Sequence, residues 1–311
     1  MEAVFPRGEV IQRYGIYWLL LAMLVFATAF IGEFRDLGNL ANVLKQSAAL
    51  AVLAIGQTFV IVAGLIDLSV GMLAGLVVVT TADLMDGRSA MTIPAIMLAL
   101  FVGGGIGLVN GVLNNVLRIH PLILTFGMLS VLQGAIFVYT DRSVGLVSRE
   151  IEWAANGDLL GIPFSALLLL IIGGLAHSLL SRSRYGFHVY AVGGNEEGAR
   201  RAGIDVDKVK LLAFVLSGLS AGIAGLLVAG RLGTGYPNAG VGLELDAIAA
   251  VVLGGATLAG GRGTIAGTVA AVFVLGLTSN ILNLLEISSF VQLLIKGLIV
   301  IGAILVNQPK E

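Results

Sequence analysis

One segment of the sequence has the spacing of a catalytic motif. Gly218-Leu-Ser-Ala-Gly222 matches the G-x-S-x-G pattern of a nucleophile elbow, which would make Ser220 the nucleophile of a hydrolase. Such a serine needs a base to take its proton, and no histidine is paired with Ser220 by sequence. The motif also lies in a uniform apolar run, where the packing of small residues explains it as well. A serine hydrolase is therefore a remote alternative.

The residue pattern predicts neither a metal-binding site nor a nucleotide-binding site. The chain has no cysteine, and its three histidines lack the i,i+4 spacing of a helical metal site. No lysine follows a glycine, so the G-K-[ST] element of a phosphate-binding loop is missing. We therefore predict a chain that is not an enzyme and holds no cofactor. Any work driven by ATP would have to come from a partner subunit.

Asp67 is the charged residue whose position demands an explanation. It lies between Ile66 and Leu68 in the glycine-bounded segment 64–71, with apolar runs on both sides. A carboxylate at or near the hydrocarbon region is costly, so it commonly has a function in a translocation path. Alternatively, Asp67 caps the helix that follows by accepting its free N–H groups. Both interpretations remain open.

Several amides are spaced so that they share a helix face. One pair is separated by four residues and another by three, and a lone glutamine lies in a further apolar run. These side chains could line a polar path, or they could bond neighbouring helices to each other. With Asp67, the candidate path residues are Asn110, Asn114, Gln133, Asn280 and Asn283.

The composition shows what kind of elements must position these residues. Of the 311 residues, 57% are hydrophobic and only 12% are charged, about half the share of charge in a soluble domain. A soluble enzyme or DNA-binding domain is therefore excluded, and the net charge of -1 suggests no nucleic-acid partner. A span needs about 20 apolar residues, so the chain has room for about ten.

We predict an all-α, polytopic integral membrane protein that forms a single transmembrane domain over residues 1–311. About ten transmembrane helices are expected, or eight to ten if short segments are re-entrant. The predicted spans are 14–31, 47–66, 68–82, 93–117, 122–140, 164–180, 211–229, 247–258, 264–285 and 290–306.

The charged residues are concentrated in a few connections. The connection 182–210 holds six basic and four acidic residues, which predicts a cytoplasmic loop by the positive-inside rule. The connection 141–163 has two basic and four acidic residues, so we expect it on the extracytoplasmic side. Counting spans from either loop places both termini in the cytoplasm, in agreement with Arg7 and Arg13 near the start of the chain.

Within the basic loop, residues 196–202 form a short helical pattern with both signs of charge. The turn 193–195 precedes the pattern and Gly203 ends it. Seven isolated residues would not be helical, so tertiary contacts must support them. The segment could be a docking site for a soluble partner, or only a solvated connection.

Two regions of the chain also resemble each other. Residues 54–75 and 247–267 each contain an apolar segment, a glycine-rich break and a second apolar run. Broken apolar segments at matching positions in two halves indicate a transport path, although chance similarity is a competing explanation.

Five stretches together resemble the permease subunits of monosaccharide ABC importers of the ribose, xylose and galactose type. The resemblance extends from about residue 40 to residue 305. The stretches are AVGGNEEGARRAGI at 191–204 with VKLLAFVLSGLSAG at 209–222, GLIDLSVG at 64–71, NG at 110–111, HPLILT at 120–125, and ELDAIAAVVLGGATLAGGRGT at 244–264.

This resemblance implies a multi-pass permease of the bacterial inner membrane that dimerises with an identical copy or a paralogue. It would receive sugar from an extracytoplasmic binding protein, and two cytoplasmic ATP-binding cassette subunits, which hold the ATP and Mg²⁺, would drive it. Residues 195–204 would form the coupling helix in a cleft of the ATPase. The candidate coupling residues are Glu196, Glu197, Ala199, Arg200, Arg201 and Gly203.

Two departures from the family pattern concern the coupling helix and either the contact with the binding protein or the choice of substrate. Gly198 replaces a usual alanine in the coupling helix, and residues 141–147 lack a glycine pair that is frequent in the family. The competing hypothesis is a secondary, ion-coupled transporter. It would need ionisable groups within the spans, and the sequence offers mainly Asp67, with Lys296 nearer a span end.

Overall fold

The computed structural model describes residues 7–306, and residues 1–6 and 307–311 lie outside the described part. Over 7–306 the chain is helical apart from one small hairpin and short connections. The helices are α1 (Arg7–Phe30), α2 (Leu37–Val62), α3 (Val70–Met85), α4 (Thr92–Leu117), α5 (Pro121–Tyr139), α6 (Arg149–Asn156), α7 (Phe164–Arg182), α8 (Arg184–Gly194), α9 (Glu196–Arg201), α10 (Val206–Leu232), α11 (Leu243–Leu253), α12 (Ile265–Leu284) and α13 (Ser289–Val306). The antiparallel hairpin pairs β1 (Asp158–Leu159) with β2 (Ile162–Pro163).

Each of the ten predicted spans coincides with one helix, so the prediction of an all-α polytopic membrane protein is confirmed at that level. Within residues 7–306, six helical stretches are long and apolar enough to cross a membrane, and three shorter apolar helices accompany them. Helix α11, with 11 residues, is about 16 Å long and cannot cross a hydrocarbon core of about 30 Å alone. The number of spans and the orientation of the termini stay predictions.

Side-chain caps explain where several of these helices begin. Asp36, Asp205 and Thr264 each accept a hydrogen bond from the backbone N–H of the second or third residue beyond them, at 3.0–3.3 Å. A cap of this kind satisfies an N–H group that has no partner within its helix, which matters most near a membrane. Polar residues therefore mark the starts of α2, α10 and α12.

The two large connections lie at opposite ends of the helix bundle. We call the end with residues 182–210 the basic end and the end with residues 141–163 the far end. Lys45, near the start of α2, forms a 3.0 Å ion pair with Asp158 at the far end. The last residue of α2, Val62, lies against Gly193 at the basic end. Helix α2 therefore runs from the far end to the basic end.

Helix α10 lies at the centre of the bundle, against α2, α3 and α4. Its crossing with α4 is a direct backbone contact, since a Cβ added to Gly103 would lie 2.4 Å from the Gly218 carbonyl oxygen. A Cβ on Gly107 would lie equally close to the Phe214 carbonyl oxygen. Small residues thus allow van der Waals packing where lipid supplies no hydrophobic drive between helices.

This crossing also explains the apparent catalytic motif. Ser220 lies inside the continuous helix α10, and a Cβ added to Gly56 of α2 would lie 2.6 Å from the Ser220 Cβ. A nucleophile elbow requires a sharp turn between a strand and a helix, and residues 206–232 contain neither a strand nor a turn. The serine and its flanking glycines serve helix packing.

The helices differ in how much protein surrounds them. In the most apolar stretch of α2, 83% of the residues are buried inside the bundle. In the corresponding stretch of α5, only 17% are buried. Helices α4, α5 and α7 expose large apolar side chains such as Phe101, Val138 and Leu170. These outer faces suit contact with lipid, while α2, α10 and α12 form the interior.

Candidate functional site

The predicted short helix of the basic loop is present as α9. Asn195 caps it by accepting a 2.8 Å hydrogen bond from the Gly198 N–H. Gly203 has a φ of +84°, and the Ile204 N–H returns to the Ala199 carbonyl oxygen at 3.0 Å, which closes the helix end. One part of the prediction was wrong. Residues 193 and 194 do not belong to a turn, because α8 continues to Gly194.

The charged residues of α9 form ion pairs on its exposed side. Arg200 reaches Glu196 at 3.4 Å and Asp207 at 3.2 Å, and the same Glu196 accepts from Lys210 at 2.7 Å. Asp207, followed by Glu196, raises the pKa of the Arg200 guanidinium above its ordinary value. Exposed pairs contribute little one by one, but this network orients α9 against the start of α10.

The remaining predicted coupling residues have distinct environments. Glu197 and Arg201 form a separate 3.0 Å pair, and both side chains are more than two-thirds exposed. Ala199 is buried, 5% exposed, on the opposite side of α9. The helix therefore presents a charged face to the solvent and a small apolar face to the protein, an arrangement suited to a docked partner.

Three glycine-rich segments meet directly beside this helix. A Cβ on Gly193 would lie 1.8 Å from the Val62 carbonyl oxygen at the end of α2, and a Cβ on Gly260 would lie 2.7 Å from the Gly64 Cα atom. The Gly261 N–H also donates to the Val62 carbonyl oxygen at 2.9 Å. We call these five residues the glycine junction. Its backbones touch without any intervening side chain.

The junction joins the two breaks that the internal similarity predicted. Helices α2 and α3 are separated by the first break, and α11 and α12 by the second, so each of the two similar segments is a helix–break–helix unit. Tyr190 of α8 also donates to the Gly263 carbonyl oxygen at 2.7 Å. Both breaks therefore contact the helix that leads directly into α9.

Asp67 lies in the first break and is enclosed by protein, with 1% of its surface exposed. Its carboxylate accepts from the Ser69 N–H at 3.0 Å, from the Ser69 hydroxyl at 2.6 Å and from the Ser217 hydroxyl of α10 at 3.1 Å. Capping of α3 was one open interpretation: Ser69 occupies the N-cap position without a side-chain cap bond, and Asp67 accepts the N–H of this residue. The carboxylate stabilises the break and ties it to α10.

Thr125 of α5 satisfies the backbone of the same break. It accepts from the Leu68 N–H and donates to the Ile66 carbonyl oxygen, both at 3.1 Å. Irregular backbone at membrane depth requires such partners because no water can replace them. The irregular backbone of the first break is therefore held in place by specific hydrogen bonds.

The predicted path amides do not come together at one place. Asn110 donates to the Ser69 hydroxyl at 2.9 Å, and Asn114 donates to the Ile119 carbonyl oxygen at 3.2 Å. Asn280 exchanges two hydrogen bonds with Asn39 of α2, at 2.7 and 3.1 Å. Asn283 accepts from Gln292 at 2.8 Å.

Two of these amides bond neighbouring helices directly, and Gln133 is half-buried on α5. A path-lining role for the whole set stays a prediction. Lys296 belongs to α13, but its side chain lies outside the described residues.

Sequence reasoning missed a cavity of about 310 Å³ between α2, α10, α11 and α12, in which polar side chains lie among a mainly apolar lining. Arg231 and Asp246 line it, together with Gln46, Ser47 and Ser279. A signal was present, since Arg231 is a charged residue at the end of an apolar span. Only the three-dimensional arrangement connects it with Ser47, which lies 184 positions earlier in the numbering.

Comparison with known proteins agrees with this architecture. The family model described as branched-chain amino acid transport system / permease component matches residues 39–304. The chain therefore belongs to this family of membrane permease components. No solved structure matches the chain.

Among the curated relatives, the ribose import permease protein RbsC of Escherichia coli strain K12 is 38% identical, with 99% of this chain and 97% of the relative covered. RbsC of Bacillus subtilis strain 168 is 37% identical over 97% and 94% of the two chains. The D-allose transport system permease protein AlsC of Escherichia coli is 33% identical over 96% and 92%. The predicted resemblance to monosaccharide ABC permeases, and the function of a sugar-importer permease subunit, are confirmed.

Proposed function

We propose that this chain forms the translocation path of a monosaccharide importer in the bacterial inner membrane. ATP-binding cassette subunits would dock at the basic end, and an extracytoplasmic sugar-binding protein would dock at the far end. A second permease, identical or a paralogue, would complete the pair within the lipid. The near full-length similarity to import permeases for ribose and allose supports this assignment. The excess of basic residues at 182–210 supports cytoplasmic placement of that end and of both termini.

One observation carries the mechanism: α9 is connected to both broken helices through the glycine junction. An ATPase subunit that holds the exposed face of α9 would displace α8 with it, because Asn195 alone separates the two helices. Gly193 would then press on the Val62 carbonyl oxygen, since no flexible side chain lies between them to absorb the movement. Closely packed contacts of this kind pass displacement on to their neighbours.

The chemistry of ATP hydrolysis belongs to the partner subunits in this proposal. Among the described residues, no group of three or more His, Asp or Glu side chains is arranged to hold a metal ion. The chain's own contribution is mechanical. It provides the docking helix, the junction and the walls of the path.

Reconstitution in proteoliposomes with the ATPase subunits and the binding protein tests the role of α9. The double variant Glu197→Ala with Gly203→Ala removes the pair to Arg201 and puts a side chain at φ +84°, which costs about 1–2 kcal/mol. We expect it to insert normally but to lose sugar uptake and the ATPase activity stimulated by the binding protein. Normal stimulated ATPase activity in this variant would refute the proposed coupling role.

Gly233→Ala is a matched control because Gly233 also has a positive φ, +72°, and open space for a Cβ, but lies at the far end. It should carry a similar backbone strain and retain coupling. A second measurement distinguishes the ATP-driven importer from the ion-coupled alternative. Uptake that survives without the ATPase subunits but stops with a protonophore would favour that alternative.

A further inference from the structure

The cavity at the far end has the features of a small-molecule site. Its volume of about 310 Å³ lies at the lower limit of the range used by ligand pockets. Four helices contribute to its walls, and both polar and apolar side chains line it. A site of this size suits a single sugar ring better than a larger ligand.

The position of the cavity can be fixed from its neighbours. Lys45, which precedes the cavity residue Gln46, forms its ion pair with Asp158 in the connection 141–163, which we call the far loop. Two residues after Arg231, the Gly233 carbonyl oxygen accepts from the Val147 N–H of the same connection at 3.0 Å. The cavity therefore lies next to the far loop, at the end where the proposed function places delivery of the sugar.

The side chains in the cavity combine donors and acceptors. Arg231 is half-buried at the end of α10. Its guanidinium can only donate, whereas the half-buried carboxylate of Asp246 can only accept. Because one positive and one negative group lie in the same cavity, it favours a neutral ligand with many hydroxyl groups over a sugar phosphate.

Ser47 provides an independent observation. It is 3% exposed and its hydroxyl has no hydrogen-bond partner among the described residues. A Cβ added to Gly276 on α12 would lie 2.4 Å from that hydroxyl, so only glycine leaves it room. An unpaired buried hydroxyl is unfavourable unless something binds it.

We propose that this cavity binds the neutral monosaccharide during its passage, with Arg231, Asp246 and Ser47 as its hydrogen-bonding contacts. The proposal rests on the proposed function and adds a binding site to it. The sugar would leave the binding protein at the far end and be held here before the path opens at the basic end.

The experiment uses the complete reconstituted importer with ribose and allose as probes, and measures uptake and ATPase activity in the same vesicles. Arg231→Gln and Asp246→Asn should each lower uptake about tenfold or more, the effect of one lost hydrogen bond to a charged group. Stimulated ATPase activity should change less than about twofold, because α9 and the docking surfaces are untouched. Ser130→Ala serves as the control, because Ser130 is exposed in the middle of α5, lies outside the cavity, and bonds only within its own helix.

Ser47→Ala separates binding from structure. If the hydroxyl only lies buried and unpaired, its removal should preserve or raise the melting temperature and leave uptake unchanged, which would count against the proposal. We expect the same melting behaviour together with reduced uptake.

Unchanged uptake in Arg231→Gln and Asp246→Asn, in an importer whose wild type transports, would overturn the cavity site and leave the proposed function intact. A wild-type complex that neither transports nor stimulates its ATPase would overturn both.

Discussion

Gly193→Ala is the substitution that most directly tests the glycine junction. The added Cβ would lie 1.8 Å from the Val62 carbonyl oxygen and 2.6 Å from the Gly261 nitrogen. Both contacts are with backbone atoms, so no side-chain rotation can relieve them. The substitution must therefore separate α8 from the end of α2 and lengthen the 2.9 Å hydrogen bond from Gly261 to Val62.

The expected destabilisation follows from the steric clash and from the weakened hydrogen bond between Gly261 and Val62. Overpacking of a close contact costs about 1–3 kcal/mol, and one net backbone hydrogen bond is worth about 1 kcal/mol. Alanine recovers up to about 1 kcal/mol through its higher helix propensity. We expect a net destabilisation of about 1–3 kcal/mol, centred on the junction.

The neighbouring residue supplies a matched control. A Cβ on Gly194 meets no atom within 4 Å, so Gly194→Ala gains the helix propensity without the clash. The purified importer should show a lower melting temperature and weaker stimulated ATPase activity for Gly193→Ala, and neither change for Gly194→Ala. If the two variants behave alike in both assays, contact at the junction does not connect α9 to the broken helices.

Two further predictions concern contacts away from the junction. Asn39→Ala leaves the amide of Asn280 without its partner, so we expect the free energy of unfolding, measured by thermal denaturation, to fall by about 1–3 kcal/mol. Replacing both asparagines by leucine should recover most of that stability. At the far end, hydrogen bonds lower the pKa of Glu150 below its ordinary value of 4.5, and the bond with Ser89 has the largest effect. The resulting stabilisation is complete above pH about 4.5 and is lost as the pH falls through the lowered folded-state pKa. The hydrogen-exchange protection factors of α6, which are corrected for the intrinsic pH dependence of exchange, should therefore fall with acid, and Glu150→Gln should abolish that fall.

Either of two results would contradict these expectations. Unfolding of the single asparagine variant at the wild-type temperature would mean that the amide pair is not a net contact between α2 and α12. Equal acid sensitivity of α6 in wild type and Glu150→Gln would place the responsible group elsewhere in the far loop.

The span positions could be predicted because the apolar runs are long and end at charged or glycine-rich segments. The same reasoning missed α8 as a helix, since residues 184–194 mix aromatic, basic and glycine residues and have neither the length nor the composition of a span. Its stability comes from tertiary contacts such as the Tyr190 hydrogen bond to Gly263. Local pattern carries no information about a partner 73 residues away.

The small-residue faces illustrate the same limit. Glycines repeated every four residues on α4 predict a close helix contact but do not identify the opposing helix. The structure pairs Gly103 with Gly218 and leaves Gly105 facing open space. For the polar residues, the sequence indicates which side chains can form hydrogen bonds or carry charge, but not which partners they meet. Asp67 drew attention as a buried carboxylate, yet its three hydrogen-bond donors come from a neighbouring residue and from α10.

The cavity and the glycine junction lie at opposite ends of the same two helices. On α2, Ser47 is 15 residues from Val62, a distance of about 22 Å along the helix axis. On α12, Ser279 is 14 residues from Ile265, where the helix begins after the second break, a distance of about 21 Å. Because both helices are continuous between these points, a displacement at the junction must move the cavity walls, unless the helices bend. Variants at the junction should therefore alter sugar affinity at the cavity, whereas cavity variants should leave docking of the ATPase unchanged.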